Sequence, residues 1–465
     1  MSATFTTLDD ALAFLFQALD YERITKYKYD IATFNLERME QLLAAAGKPH
    51  HDLKFVHVTG TKGKGSTSMI LATLLKTAGL KVGLYTSPHL VRWEERIVVG
   101  DQMIPAEEIC AILDELRPYV ERERVERPSL SPSFFELMTA IALLYFRKQK
   151  VDMAVMEVGL GGRLDATNVV LPEVSVITNI GYDHMNKLGD TLAKIAAEKA
   201  GIIKPGVPVI SAAQEPDPMA VIERTSAEKG SRLYVVGKDI HIRACEYAQV
   251  GGQTGLRFAV ETWRSQFADL FLPALGRHQA ANAAAVIGVA EILADKGFLT
   301  LTPDLLRTAF RAAKCPGRIE ALPGTPTVIL DSAHTVESVR ALKQTVDEAL
   351  KYRRLILVTG IAGDKDVERI LGELVPWASE IVFTRSDSPR ASDPQELAHR
   401  AYLIRPNGLY HTALIEEALD KAKSLATADD LICVTGSFYV AGKIKEILEA
   451  RAAGKPLPSA APRNP

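Results

Sequence analysis

Residues 55–69, FVHVTGTKGKGSTSM, constrain the fold more than any other stretch of the chain. An apolar strand runs into Gly60, Gly63 and Gly65 with Lys64 among them, and Ser66 and Thr67 then open an apolar helix. Glycines let the backbone turn so that several N–H groups point inward, the helix start adds its positive end, and the lysine reaches outer phosphates. Against the general pattern G-x-x-x-x-G-K-[ST], Val58 stands where the first glycine belongs and Gly65 follows the lysine. The stretch by itself therefore reads either as a phosphate cradle or as a plain strand-turn-helix corner.

Composition enters at this point because it limits what such a cradle serves. With 465 residues, 47% hydrophobic and 24% charged, the chain has the make-up of a soluble protein and is long enough for two domains, each with its own core. A formal net charge of −2 with both signs interspersed gives no basic footprint for nucleic acid. Cys110, Cys245, Cys315 and Cys433 are far apart and lack C-x-x-C spacing, which reads as reduced core cysteines in the cytoplasm. The start MSATFTTLDD has no basic run followed by an apolar stretch, and no apolar run approaches the ~20 residues that span a bilayer. Neither secretion nor membrane insertion is expected.

Further strands are expected to end near the cradle. Residues 82–85 lead into Thr86-Ser87-Pro88-His89-Leu90, where Ser87 is either a turn residue or an oxygen ligand for Mg²⁺. Residues 133–146, SFFELMTAIALLYF, read as a buried helix whose Glu136 is a cap or dipole partner. The apolar strand 153–158 carries Glu157 near its end, and a buried glutamate is costly unless a cation neutralises it. Residues 174–178 lead to Asn179-Ile180-Gly181-Tyr182-Asp183-His184, so Gly60, Ser87, Glu157 and His184 converge on one sheet edge. On a helix over 190–201, Leu192, Ile195 and Lys199 share a face, so Lys199 lies on the apolar side, snorkelling or functional. Residues 211–271 read as alternating strands of scaffold, and His278 and Asn282 share a face of the alanine-rich helix that follows. Strands at 327–330, 355–359, 380–383 and 431–435 alternate with helical stretches, which predicts a second, parallel α/β sheet. The expected divisions are a domain over 1–307, a linker over 308–314, a second domain over 315–454 and a disordered Pro- and Ala-rich tail over 455–465.

The string Gly60-Thr61-Lys62-Gly63-Lys64-Gly65-Ser66, the run YTSPHL at 85–90 and EVGLGGRLDATN at 157–168 closely resemble the Mur-ligase superfamily in its folylpolyglutamate and dihydrofolate synthase branch. Asp331-Ser332-Ala333-His334-Thr335, Gly363-Asp364-Lys365-Asp366 and Thr435-Gly436-Ser437-Phe438-Tyr439 extend the likeness over nearly the whole chain. The branch usually has asparagine at Lys62 and the form DGAHN at 331–335, so Lys62, Ser332 and Thr335 depart from it.

The resemblance implies an α/β protein of two domains, an N-terminal P-loop NTPase-like domain that also binds a pterin, and a C-terminal Rossmann-like ligase domain. It implies an ATP-dependent ligase in which a pteroate or folate carboxylate attacks the γ-phosphate and the amine of L-glutamate displaces phosphate from the acyl phosphate. Gly60, Thr61, Gly63, Lys64, Gly65, Ser66, Thr67 and Asn282 would hold ATP, and Arg318, Asp331 and His334 would close over it from the second domain. Ser87, Glu157 and His184 would be the metal residues, with Ser87 at the Mg²⁺ beside the phosphate loop. His184 would serve a second Mg²⁺ near Glu157, Lys199 would be carbamylated, and Lys64, Lys199 and His184 would be the catalytic set. A monomer is expected. A cell-wall precursor ligase of the same superfamily and a non-catalytic nucleotide-binding regulator are the alternatives; YTSPHL and LDATN argue against the first, and retention of Glu157, His184 and Lys199 against the second.

Overall fold

A computed structural model of the chain describes residues 5–20, 30, 34–322 and 324–455, so the tail expected to be disordered lies outside the described residues beyond Lys455. The strand Phe55–Thr59 sits at the centre of an eight-stranded sheet, between Met153–Glu157 and Val174–Ile177, with which it pairs in parallel. Val82–Tyr85 lies beyond Met153–Glu157 and then meets the short antiparallel edge strands Ile97–Val99 and Gln102–Met103. Val209–Ser211 and Leu233–Val235 complete the other side.

A central parallel strand must bury both faces, and alternation divides its side chains between two cores. Val56, Val58, Met153 and Val155 face one core with the helices Lys64–Thr77 and His278–Asp295. Phe55, Ala154 and Met156 face the other with the helices Ala106–Glu126 and Phe134–Lys148. Ser133 caps the last of these in a capping box with Glu136, which also pairs with Arg38 at 2.7 Å. Glu136 is thus a cap and ion-pair partner.

The stretch read as scaffold contains a helix, Pro216–Glu228, and three antiparallel strands, His241–Val250, Gln253–Glu261 and Gln266–Leu272. Their inner residues Leu256, Phe258, Val260, Leu270 and Leu272 join the same core as the cradle helix. The expected linker needs correction: Thr302 caps a helix, Pro303–Ala312, that runs into residues 308–314 and packs Leu306, Ala309 and Phe310 into that core. The connection therefore begins at Ala313.

The second module is a six-stranded sheet ordered Glu320–Leu322, Thr327–Leu330, Leu431–Thr435, Leu355–Thr359, Glu380–Phe383, Leu409–His411, parallel except for its first strand. Helices cover both faces. Among the described residues no helix is long and apolar enough to cross a membrane.

Candidate active site

The cradle is built where the central strand stops. Gly60 has φ 149°, and a Cβ there would lie 1.8 Å from Thr178 Oγ1; Gly63 has φ 92°, and a Cβ there would lie 2.6 Å from Asn282 Oδ1. Both positions therefore need glycine. Gly63 is the N-cap of the helix Lys64–Thr77 and supplies no side-chain cap, which leaves the first N–H groups of the helix facing the cleft. Thr61 ties the loop to the next strand end, with its N–H on Asn179 O at 2.7 Å and its hydroxyl bonded to Gly181.

Two lysines converge behind the loop. Lys64 Nζ donates to Gly60 O at 3.1 Å and Lys199 Nζ donates to the same carbonyl at 2.8 Å. Burial lowers the Lys64 pKa, with the charge of Glu157 opposing it. Burial pushes Lys199 well below the usual lysine value, and repulsion from Lys64 adds to it. Glu157 ends its strand fully inside the protein and accepts the Ser87 N–H at 3.1 Å. Burial raises its pKa, while Lys64, the Ser87 N–H and Arg318 favour the carboxylate.

A cleft of about 1000 Å³ between the two modules is lined by Gly60, Thr61, Gly63, Lys64, Gly65, Ser66, Ser87, Glu157, His184, Lys199, Asn282, Arg318, Asp331 and His334. The one residue of the expected set that does not line it is Thr67. Its N–H bonds to Gly63 O as part of the helix and its side chain is fully buried, so helical twist has carried it from the loop into the core.

The second module supplies the facing wall. Arg318 Nη1 donates to Ser332 Oγ at 2.7 Å. Asp331 accepts the N–H groups of Ile319 at 2.9 Å and Ala333 at 2.8 Å. His334 Nδ1 lies 2.8 Å from Ser332 O, and a carbonyl only accepts, so Nδ1 carries the proton and Nε2 the lone pair. Its pKa is pushed down to about 3, chiefly by burial and then by Lys62 and Lys365. Thr335 caps the helix Val336–Ala349, bonding the Ser338 N–H at 3.3 Å, so its hydroxyl is used locally.

The contacts of several site residues carried no sequence signal. Lys62 pairs with Asp183 at 2.8 Å, a contact between residues 121 apart in sequence. Gln279 accepts from Asn282 Nδ2 at 2.9 Å and donates to Ser66 Oγ at 3.4 Å, tying the alanine-rich helix to the cradle. Phe34, Pro88, Phe135, Leu160 and Ala166 are apolar residues of the cleft lining, and Lys187, Lys365 and Arg390 are cations of it, Arg390 being paired with Asp364 at 3.3 Å. The pKa of Lys187 falls to about 8, through burial first and then Arg390. A lysine three residues after a D-H dipeptide was the one hint of this in the sequence.

For magnesium, the donor chemistry at Glu157 fits: a buried carboxylate beside a serine hydroxyl at the cleft, both hard oxygen donors. Around the second expected ion the arrangement is looser. Among the described residues no three His, Cys, Asp or Glu side chains cluster as a metal site. His184 takes a left-handed backbone with φ 50°, its ring 43% exposed and its Nε2 3.9 Å from Asp183 Oδ1. The charges acting on it are Asp183, Lys365, Lys187 and Lys64, whereas those on Glu157 are Lys64, Arg318 and Asp165. Lys64 acts on both residues.

Comparison with known proteins agrees with this geometry. The family model for the Mur ligase middle domain matches residues 131–290, and that for the Mur ligase glutamate ligase domain matches residues 317–438. The dihydrofolate synthase/folylpolyglutamate synthase of Bacillus subtilis is 35% identical over 422 residues, covering 89% of this chain and 95% of its own. The structure of Mycobacterium tuberculosis folylpolyglutamate synthase complexed with ADP superposes with a TM-score of 0.85 at 32% identity, covering 95% of this chain and 98% of that one. An FPGS-AMPPCP-folate complex gives a TM-score of 0.79 at 31% identity, covering 95% and 100%. A P-loop domain and a ligase domain joined over one cleft, with relatives matched along nearly their full length, place this chain in the Mur ligase superfamily, in its folylpolyglutamate synthase and dihydrofolate synthase family.

Proposed function

We propose that the protein is an ATP-dependent ligase that joins L-glutamate to a folate-type carboxylate, that of dihydropteroate, a tetrahydrofolate polyglutamate, or both. One observation carries the reading. A single cleft is lined by a phosphate cradle with Lys64, a buried carboxylate, an arginine from the opposite domain, aromatic and aliphatic side chains, and further lysines.

The substrate carboxylate oxygen attacks the γ-phosphorus, the bond to the β-bridging oxygen breaks, and ADP leaves an acyl phosphate. The neutral amine of glutamate then attacks the acyl carbon, phosphate departs with its bonding pair, and the nitrogen loses a proton. Lys64 and the N–H groups of the cradle offset the charge gathering on the transferring phosphoryl group. Arg318 approaches from the other domain: its Nη2 stands 3.9 Å from the position of a Cβ on Gly65. Phe34, Phe135 and Leu160 in the lining suit a pterin and benzoyl ring, and Lys187, Lys365 and Arg390 suit the carboxylates of an acidic amino acid.

Glu157 and Ser87 would hold a magnesium ion, which when bound neutralises the outer phosphates. His184 would serve a second ion together with a carbamate on Lys199. Burial favours the neutral Lys199 amine, the form that adds CO₂ with release of one proton, and the remaining N–H of a carbamate can keep its bond to Gly60 O. One chain supplies both walls of the cleft, which suits a monomer, and four free cysteines suit a reducing cytoplasm.

The test is phosphate release from ATP with dihydropteroate, a reduced folate or a UDP-sugar peptide, each with and without L-glutamate. Turnover is expected only when a pteroate-type acid and glutamate are both present. Rapid release with ATP alone, or with the UDP-sugar peptide, refutes the reading.

A further inference from the structure

The Arg318 side chain is held by two contacts from its own domain. Its Nη1 donates to Ser332 Oγ at 2.7 Å, and its guanidinium lies over the Phe438 ring, 4.6 Å from the centroid. The backbone that carries it is fixed as well: Asp331 binds the N–H of Ile319, whose φ of 47° is left-handed, and the N–H of Ala333 just beyond Ser332. Nη2 is left as the edge turned toward the cradle at Gly65, and the guanidinium charge reaches Glu157 across the cleft.

An arginine side chain has several soft torsions, and freezing them when a ligand arrives weakens binding. A charge-assisted hydrogen bond and an aromatic face that hold the fork beforehand remove that cost. Ser332 is 1% exposed, so its hydroxyl has no competing water and its bond to Arg318 is correspondingly well determined. A glycine, the usual residue of the motif this segment resembles, offers no such acceptor.

We infer that Ser332 is a positioning residue: its hydroxyl fixes Arg318 so that the guanidinium already faces the phosphates before nucleotide binds. The inference rests on the reading, proposed above, that Arg318 touches the nucleotide, and it assigns to this chain a preorganised clamp built from Asp331, Ser332 and Phe438.

The experiment is calorimetric titration of the full-length protein with ADP and with a non-hydrolysable ATP analogue, alongside steady-state kinetics and a melt without ligand. Ser332→Ala is expected to weaken nucleotide binding about tenfold, the scale of one hydrogen bond to a charged group, and to raise KM for ATP alike. The kcat should stay within about twofold, since the bond acts before chemistry, and the ligand-free melt should fall only slightly, by the loss of one buried hydrogen bond. Ser332→Thr, which keeps the hydroxyl, restores binding. Ser332→Gly gives a second route to the same readout if alanine disturbs the turn. Arg318→Ala is the control, and the double variant should bind no more weakly than Arg318→Ala alone. Wild-type binding by both Ser332→Ala and Ser332→Gly while Arg318→Ala is weak, or additive losses in the double variant, overturns the inference. Wild-type binding by Arg318→Ala removes the nucleotide contact itself, and the inference falls with it, a pattern distinct from failure of Ser332 alone.

Discussion

Gly63→Ala should damage the cradle through one identifiable side chain. The glycine has φ 92° and ψ −11°, a left-handed conformation that costs an L-residue about 1–2 kcal/mol. The new Cβ would stand 2.6 Å from Asn282 Oδ1, nearly 1 Å inside an ordinary contact of roughly 3.5 Å. Asn282 is a side chain and can retreat. Doing so breaks its 2.9 Å bond to Gln279 Oε1 and loosens the Gln279 contact with Ser66, a further loss of about 1 kcal/mol. The sum, about 2–3 kcal/mol, corresponds to a fall in melting temperature of roughly 4–10 °C for a domain of this size. Nucleotide affinity should drop with it, because the loop and Asn282 move together. The decisive assay is a set of thermal melts on Gly63→Ala, Asn282→Ala and the double variant. Truncating Asn282 removes the group that the new methyl strikes, so the double variant should be no less stable than Gly63→Ala. Additive losses would refute the reasoning, because they would mean that the two residues do not meet.

Glu157→Gln removes both the carboxylate that would hold magnesium and the charge that offsets the buried Lys64, so it is expected to abolish magnesium-dependent ligation and to lower the melting temperature of the ligand-free protein; retained magnesium-dependent ligation would contradict the assignment. His57, on the central strand with Nε2 2.9 Å from Thr167 Oγ1, has its pKa pushed from 6.5 down to about 3 by burial. A depressed folded-state pKa means its contribution is full above pH 6.5 and is lost as pH falls toward 3, so denaturant melts should show Thr167-matched packing variants such as His57→Gln losing less stability on acidification, by up to one proton. Lys199→Ala is expected to lose most ligation yet keep ATP binding, with partial rescue by a short carboxylic acid. A fully active, metal-loaded wild type with a bare Lys199 amine would refute the carbamate.

Local chemistry made a large part of this protein legible in its sequence. The strand into glycines at 55–69, the capping box of Ser133 with Glu136, and the strands at 82–85, 327–330, 355–359, 380–383 and 431–435 all follow from rules that act within a few residues. Convergence of Gly60, Ser87, Glu157 and His184 on one cleft followed because parallel strands all end on the same edge of a sheet. Glu136 was legible as a cap because its partner Ser133 stands three residues away.

Tertiary structure decided what each of those groups touches. Lys62 meets Asp183 across 121 residues, Gln279 meets Ser66 across 213, and Lys199 reaches the Gly60 carbonyl across 139. Thr67 looked like part of the cradle in the string of residues, yet one turn of helix rotated it into the core. The helix Pro303–Ala312 was hidden in a stretch that looked like a linker because its stability comes from packing Leu306 and Phe310 on a sheet surface assembled elsewhere. Sequence determines periodicity, caps and turns, since those interactions are between neighbours. Which lysine donates to which carbonyl, and whether an arginine is held ready or left loose, depends on distances between residues far apart in sequence, which exist only once each domain has folded.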